Sequence, residues 1–165
     1  ETDRLVLSGW RRDQLGDLTR LHGDPVVAKY LKGHGQPWSM TEAEEALDEW
    51  MALFETRRLG KMRVTRKVDG VLVGRCGYGV YGPSAEPEIG YSLYPEFWGN
   101  GYAYEAASGM RDWLFRETDL PYFWGSADTR NAASLKILRR IGMTETHQEP
   151  DEGRMLQFHI LRRPE

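Results

Sequence analysis

A chain of 165 residues is long enough for one domain with its own hydrophobic core. Its 22 lysines and arginines against 25 aspartates and glutamates leave a formal charge of −3, which argues against a nucleic-acid-binding protein and favours cationic partners. The single cysteine, Cys76, excludes an intrachain disulfide framework and a cysteine-rich zinc site, and no apolar run approaches membrane-spanning length. The expectation is a single domain over residues 1–165 in a reducing, cytoplasmic setting, with no nucleic acid, no membrane and no metal. The chain opens on Glu1 rather than Met, without a signal-like segment, and reads as trimmed.

Residues 4–10 read as a first strand, with Leu5 and Leu7 on one face. Residues 11–22 carry Leu15, Leu18 and Leu21 at helical spacing, and Asp24-Pro25 opens a short second helix. A loop, GHGQPWS, holds His34 and Trp38. The helix after it begins at Thr41, where Thr41-x-x-Glu44 matches a capping box, and runs through Ala43, Leu47, Trp50 and Phe54. Its early acids and late arginines suit the helix dipole and read as a solvated face. Residues 62–67 and 71–78 form a hairpin joined at Asp69-Gly70. Residues 79–87 read as a glycine-rich connection. A strand at 122–127, a helix at 131–141 closed by Gly142, and an antiparallel pair at 143–149 and 155–161 finish the chain. This order predicts a mixed α+β fold: six to seven mostly antiparallel strands flanked by helices.

The organising stretch is residues 88–109, EIGYSLYPEFWGNGYAYEAASG. Ile89, Tyr91 and Leu93 alternate as in a strand, Pro95 stops the ladder, and Trp98-Gly99-Asn100-Gly101 makes a tight turn. Ala103, Ala106, Ala107 and Met110 then recur at helical spacing. The first amides of a helix have no internal partner and sit at its positive end, and glycines let backbone approach an anion closely. The turn therefore suits a phosphate held by backbone alone. It lacks the lysine and hydroxyl of a P-loop, and Tyr104 stands where a dinucleotide fingerprint needs glycine. A glycine-rich connection without a ligand fits the same letters.

EIGYSLYPEFWGNGYAYEA followed by NAASLKILRRIGM resembles the GNAT superfamily of N-acetyltransferases, and more narrowly the branch of Rim-type ribosomal-protein N-terminal acetyltransferases. The opening ETDRLVL, then HGDPVVAKYL, then the DG hairpin and GRCGYG fit that branch, so the resemblance covers nearly the whole chain. It implies a sheet splayed between two central parallel strands, with acetyl-CoA in the cleft as the acetyl donor. It implies pyrophosphate binding by Trp98, Gly99, Asn100, Gly101, Tyr102 and Ala103. It implies pairing of the pantetheine arm with Ser92, Leu93 and Tyr94, with the Leu93 N–H on the thioester oxygen. Asn131 would contact the pantetheine, and Ser134 would lie near the CoA sulfur. Two positions depart from the superfamily. Trp98 stands where Gln or Arg is usual, and Leu138 stands where many members have a tyrosine acid.

Direct transfer needs a neutral amine, a polarised thioester and a proton for the leaving thiolate. An α-amine titrates near ~8 and a lysine amine near ~10.4, so an α-amine needs only a modest base. Glu88 is the candidate base and Ser134 the candidate proton donor; a strand-end carboxylate and a helix-start serine are the plain alternatives. Glu105 reads as packing or solvent-facing. His34 and Trp38 would border the acceptor groove. Cys76 reads as a small buried residue rather than an acylated nucleophile. The expected function is acetyl transfer from acetyl-CoA to a primary amine, a peptide or protein N-terminal α-amine. Small-molecule amines and a non-catalytic acyl-CoA-binding module are the alternatives, and a homodimer is left open.

Overall fold

Seven strands form one sheet in the order β1-β2-β3-β4-β5-β7-β6. They are β1 (Leu5–Ser8), β2 (Gly60–Arg66), β3 (Leu72–Tyr81), β4 (Glu86–Leu93), β5 (Tyr122–Asp128), β6 (Thr144–Asp151) and β7 (Arg154–Arg162). The helices are α1 (Leu15–His22), α2 (Pro25–Ala28), α3 (Met40–Arg57), α4 (Tyr102–Glu117) and α5 (Ala132–Arg140). This computed structural model describes residues 1–31 and 35–165.

Every strand pair is antiparallel except β4–β5. The Asp69-Gly70 turn joins β2 to β3: Gly70 takes a φ of +70°, and the Asp69 carboxylate accepts from the Val71 amide. The expected connection at 79–87 is a correction. Both strands run through it, to Tyr81 and from Glu86, and pair Gly79 with Glu88. Its glycines lower strand propensity, but the pairing of β3 with β4 carries the ladder through Gly79 all the same.

The start of α3 is also corrected. Ser39, not Thr41, is the cap: its hydroxyl accepts from the Glu42 amide at 3.2 Å, and the Glu42 carboxylate accepts from the Ser39 amide at 2.7 Å. Both Ser39-x-x-Glu42 and Thr41-x-x-Glu44 satisfy the motif. The earlier one gains a further half turn of helix.

Strand alternation divides the side chains between two faces. Cys76, Tyr78, Ile89, Leu93, Phe123 and Ala127 join Ala106, Ala107, Met110 and Leu114 of α4 in the main core. Tyr78 and Phe123 are fully buried and meet edge-on, 5.3 Å between ring centroids. On the opposite face α1 and α3 bring Leu18, Leu47 and Trp50 together beside Trp10.

The parallel joint is short. β4 and β5 share two paired positions, Glu88 with Trp124 and Ile89 with Gly125. Beyond Ile89 the strands part, and the sheet opens into a V. The register on the other side of β4 fixes which backbone groups face the opening. The Tyr94 amide bonds the Val73 carbonyl at 3.0 Å, so Tyr94 and Val73 form a hydrogen-bonded pair. The next pair, Leu93 with Gly74, is then non-hydrogen-bonded across β3–β4, and Leu93 turns its N–H and C=O toward the gap.

Candidate active site

The V opens into a cleft of about 1140 Å³ that runs from the glycine turn, past Ser92 and Leu93, to Glu88 and the flank of α3. At one end, Gly99 and Gly101 have φ of +76° and +78°, and Gly101 caps α4. A Cβ on Gly99 would meet open space, and one on Gly101 nothing nearer than the Arg4 guanidinium at 3.5 Å. The turn thus faces an open concavity that a side chain would fill, next to helix-start amides without intrahelical partners. That is a fit to a diphosphate. Asn100 does not reach into it; its amide folds back on the Phe97 and Trp98 carbonyls, both at 3.1 Å, and stiffens the turn. Arg4 Nε pairs with Glu105 at 2.7 Å while its Nη1 reaches the Asn100 carbonyl. Glu105 therefore ties the chain's start to α4.

Trp98 is half exposed, and its indole N–H donates to the Leu93 carbonyl at 2.9 Å. That leaves the Leu93 N–H as the backbone group of this residue directed into the gap. Tyr94 is a correction. It is buried among Leu21, Val27 and Leu72, and its hydroxyl donates to the Asp17 carbonyl at 3.0 Å. Its amide is held by Val73 and its carbonyl by the Phe97 amide. With its amide, carbonyl and hydroxyl all engaged, Tyr94 has no polar group left for the pantetheine arm.

Asn131 and Ser134 stand at the start of α5, across the cleft. The Asn131 side-chain oxygen caps the helix through the Ser134 amide at 3.2 Å, which leaves its amide nitrogen for a ligand. The Ser134 hydroxyl and the Ser134 carbonyl each lie 3.0 Å from the Tyr91 hydroxyl, whose one proton serves either of them. Burial pushes the Tyr91 phenol well above its ordinary range, so it stays a donor at neutral pH. The strand alternation included Tyr91 but carried no sign of this partner. Leu138 is fully buried, in the core below.

Glu88 borders the cleft on the other face, where its carboxylate accepts from the Ser126 hydroxyl at 2.5 Å. Trp38 is part-buried and stacked on His22, ring centroids 3.8 Å apart, rather than standing free in a loop. His34 lies outside the described residues. Cys76 is buried and burial pushes its thiol up to about 12, so a thiolate nucleophile is not at hand.

Sequence reading missed His22 and Arg75. His22 is fully buried and accepts at Nε2 from Arg75 Nε, 3.1 Å, while its Nδ1 has no partner among the described residues. Burial first, then Arg75 and Lys61, hold it down at about 2, so it is neutral when folded. The unfolded chain binds the proton near ~6.5 and the folded one does not. Stability is therefore complete above ~6.5 and falls as the pH drops toward the folded value. Urea unfolding at pH 7 and pH 5 should differ by about 2 kcal/mol from this group alone. His159, also lowered by burial, adds in the same direction. A His22→Phe protein should lose most of this slope; an unchanged slope assigns it elsewhere.

The family model described as an acetyltransferase (GNAT) domain matches residues 4–144. The chain belongs to the GNAT acetyltransferase family. Among GNAT relatives it is 39% identical over 151 residues to an FsC-acetyl coenzyme A-N(2)-transacetylase of Aspergillus fumigatus, covering 87% of this chain and 63% of that one. Among solved structures it matches an acetyltransferase from Agrobacterium tumefaciens with a TM-score of 0.83 and 25% identity, covering 99% and 93% of the two chains. RimL, a ribosomal alpha-N-protein acetyltransferase solved with coenzyme A, shares the fold with a TM-score of 0.82 at 16% identity, covering 98% and 95%. The splayed sheet is the GNAT sheet, and acetyl-CoA-dependent acetylation of an amine is its chemistry.

Proposed function

We propose that this chain acetylates the α-amine of a peptide or protein N-terminus, in the manner of the Rim-type branch, by direct transfer within a ternary complex. The observation that carries the reading is the unpaired edge of β4. There the Leu93 N–H faces the gap with Glu88 on one flank and the Tyr91–Ser134 pair across it.

Acetyl-CoA supplies an activated thioester. The chain's own groups do the rest. The turn at 98–103, with the amides that open α4, holds the diphosphate; Ser92 and Leu93 take the pantetheine arm, with Asn131 opposite. The Leu93 N–H is placed to bond the thioester oxygen as charge develops on it. Glu88 takes the ammonium proton, directly or through a water held with Ser126. Ser134 passes a proton to the leaving sulfur and regains one from solvent in the cleft, while Tyr91 fixes the direction of that hydroxyl. Trp38 borders the acceptor groove from its stack on His22. No helix of the described residues is long and apolar enough to cross a membrane, which is compatible with a cytoplasmic enzyme. A single catalytic domain completes the reading.

Purified protein, acetyl-CoA and a panel of ribosomal-protein N-terminal peptides, free amino acids, polyamines and aminoglycosides test it, with CoA release and product mass as readouts. Preference for peptide α-amines supports the reading. Transfer confined to lysine or sugar amines overturns it. The proton path has its own test. Ser134→Ala should lower kcat by about tenfold, near the low end for proton-transfer assistance because a thiolate is a stable leaving group. Tyr91→Phe should cost a few-fold, with the dissociation constant of CoA nearly unchanged. Wild-type kcat in Ser134→Ala would reduce that residue to a helix cap.

A further inference from the structure

The acceptor side of the cleft contains a buried cation that the proposed chemistry does not use. Arg75 sits on β3 opposite Ser92 and is 6% exposed. Its Nε donates to His22, which is neutral, and its guanidinium carbon lies 5.4 Å over the Trp50 ring. Neither partner carries a negative charge. No carboxylate among the described residues pairs with it, and the remaining three residues, Lys32, Gly33 and His34, include no acid. Burial pulls it down to about 10 without any carboxylate to counter the effect. A buried charge without a counter-charge is costly, and proteins rarely leave one unless a ligand supplies the other half.

The guanidinium is aimed at the groove. Its Nη1 lies 3.4 Å from where a Cβ on Gly90 would stand, and the Lys61 ammonium lies 2.6 Å from the same point. Gly90 pairs with Gly77, and Gly79 with Glu88, so three of these four floor positions carry no side chain. Glycine at 90 therefore leaves room that the Lys61 ammonium occupies, with the Arg75 guanidinium beside it. Glu88 is two residues along the same strand and on the same face, about 7 Å away. The α3 rim above carries Glu42, Glu45 and Glu49, which favour the approach of an amine. The floor thus has an anion for an ammonium at one end and a cation without a counter-ion at the other.

We infer that the acceptor bears a carboxylate close to its amine, and that the Arg75 guanidinium holds it while the amine lies at Glu88. This rests on the acetyl transfer proposed above. The planar fork of arginine, with Nε already occupied by His22, keeps two terminal nitrogens for a carboxylate. The carboxylate comes either from the amino acid's own α-carboxyl or from an acidic N-terminal side chain of a peptide.

Matched acceptors separate these cases with the unaltered protein: alanine against alaninamide, and Asp-Ala-Ala-amide against Asn-Ala-Ala-amide, with kcat/KM expressed per neutral amine. A bond from a charged donor is worth about ten- to a hundredfold, and one of the two pairs should favour its anionic member by that factor. The pair that does so identifies the source of the carboxylate. In Arg75→Met the preference should shrink toward one, with the calorimetric affinity for acetyl-CoA retained. A purely structural arginine would instead depress both members of each pair alike. If transfer occurs and neither pair discriminates, or the neutral members win, the inference falls while the acetyltransferase reading stands. If no amine on the panel is acetylated, both fall. Should Arg75→Met not fold, the wild-type ratios decide alone.

Discussion

Gly101→Asp is expected to weaken acetyl-CoA binding by about a hundredfold or more while leaving the protein folded. Gly101 sits at a φ of +78°, a conformation that aspartate tolerates better than most residues, and its missing Cβ faces open space beside Arg4. The fold therefore has little reason to object. The diphosphate has two. A side chain would stand where the phosphate oxygens approach the helix-start amides. Its carboxylate would also repel them, by about 4 kcal/mol for unit charges ~4 Å apart at an effective dielectric of ~20. Solvent and Arg4 will screen part of this, which is why a hundredfold is expected rather than the full thousandfold. Gly101→Ala separates the two causes, because it adds the methyl without the charge and should cost about tenfold. Calorimetry on protein with an unchanged melting profile is the measurement. An undiminished affinity in Gly101→Asp would move the diphosphate away from this turn.

The second large effect concerns Glu88. Glu88→Gln keeps an oxygen for the Ser126 hydroxyl, so the groove should hold its shape. What it loses is a group able to take a proton. At pH 6 only about one part in a hundred of an α-amine is neutral, and the loss in kcat/KM should approach a hundredfold. Near pH 9 most of the amine is neutral in solution, and the loss should shrink below about tenfold. A lysine-type acceptor would delay this recovery toward ~10. A deficit of one constant factor between pH 6 and 9 would instead mean that Glu88 attracts or positions the amine and that water carries the proton.

The strands, the glycine turn and the helix that follows it were legible because each is written in local chemistry. Alternation marks β4, Pro95 ends it, and only glycine takes the positive φ at 99 and 101 without strain. Local chemistry also sets the limits. Ser39 and Thr41 compete for one helix start with the same motif two residues apart, and the motif alone does not choose. Gly79 read as part of a connection, yet it lies in a paired strand and, with Gly77 and Gly90, forms the open floor of the groove. The burial of Tyr94 among Leu21 and Val27, like that of Arg75 and His22, was not legible. A strand arginine ordinarily reads as solvent-facing, and its burial is decided by α1 and α3, which arrive from distant parts of the chain. The hydroxyl pair of Tyr91 and Ser134 is likewise a meeting of two elements 43 residues apart.

The short parallel joint has a further implication. Two rungs are a hinge pin more than a seam, and the angle of the V is then fixed by what is wedged behind it. Behind it is Gly125. A methyl added there would press on Leu138 at 2.9 Å, on the Met143 sulfur at 3.1 Å and on Ile89 at 3.2 Å. Those side chains sit in the main core, on the sheet face away from Glu88 and Arg75. The width of the groove is therefore set like a door by a shim, from the buried side. Relatives of this chain could shift the bulk of the amine they accept by exchanging core methyl groups, with every residue that touches the substrate left as it is.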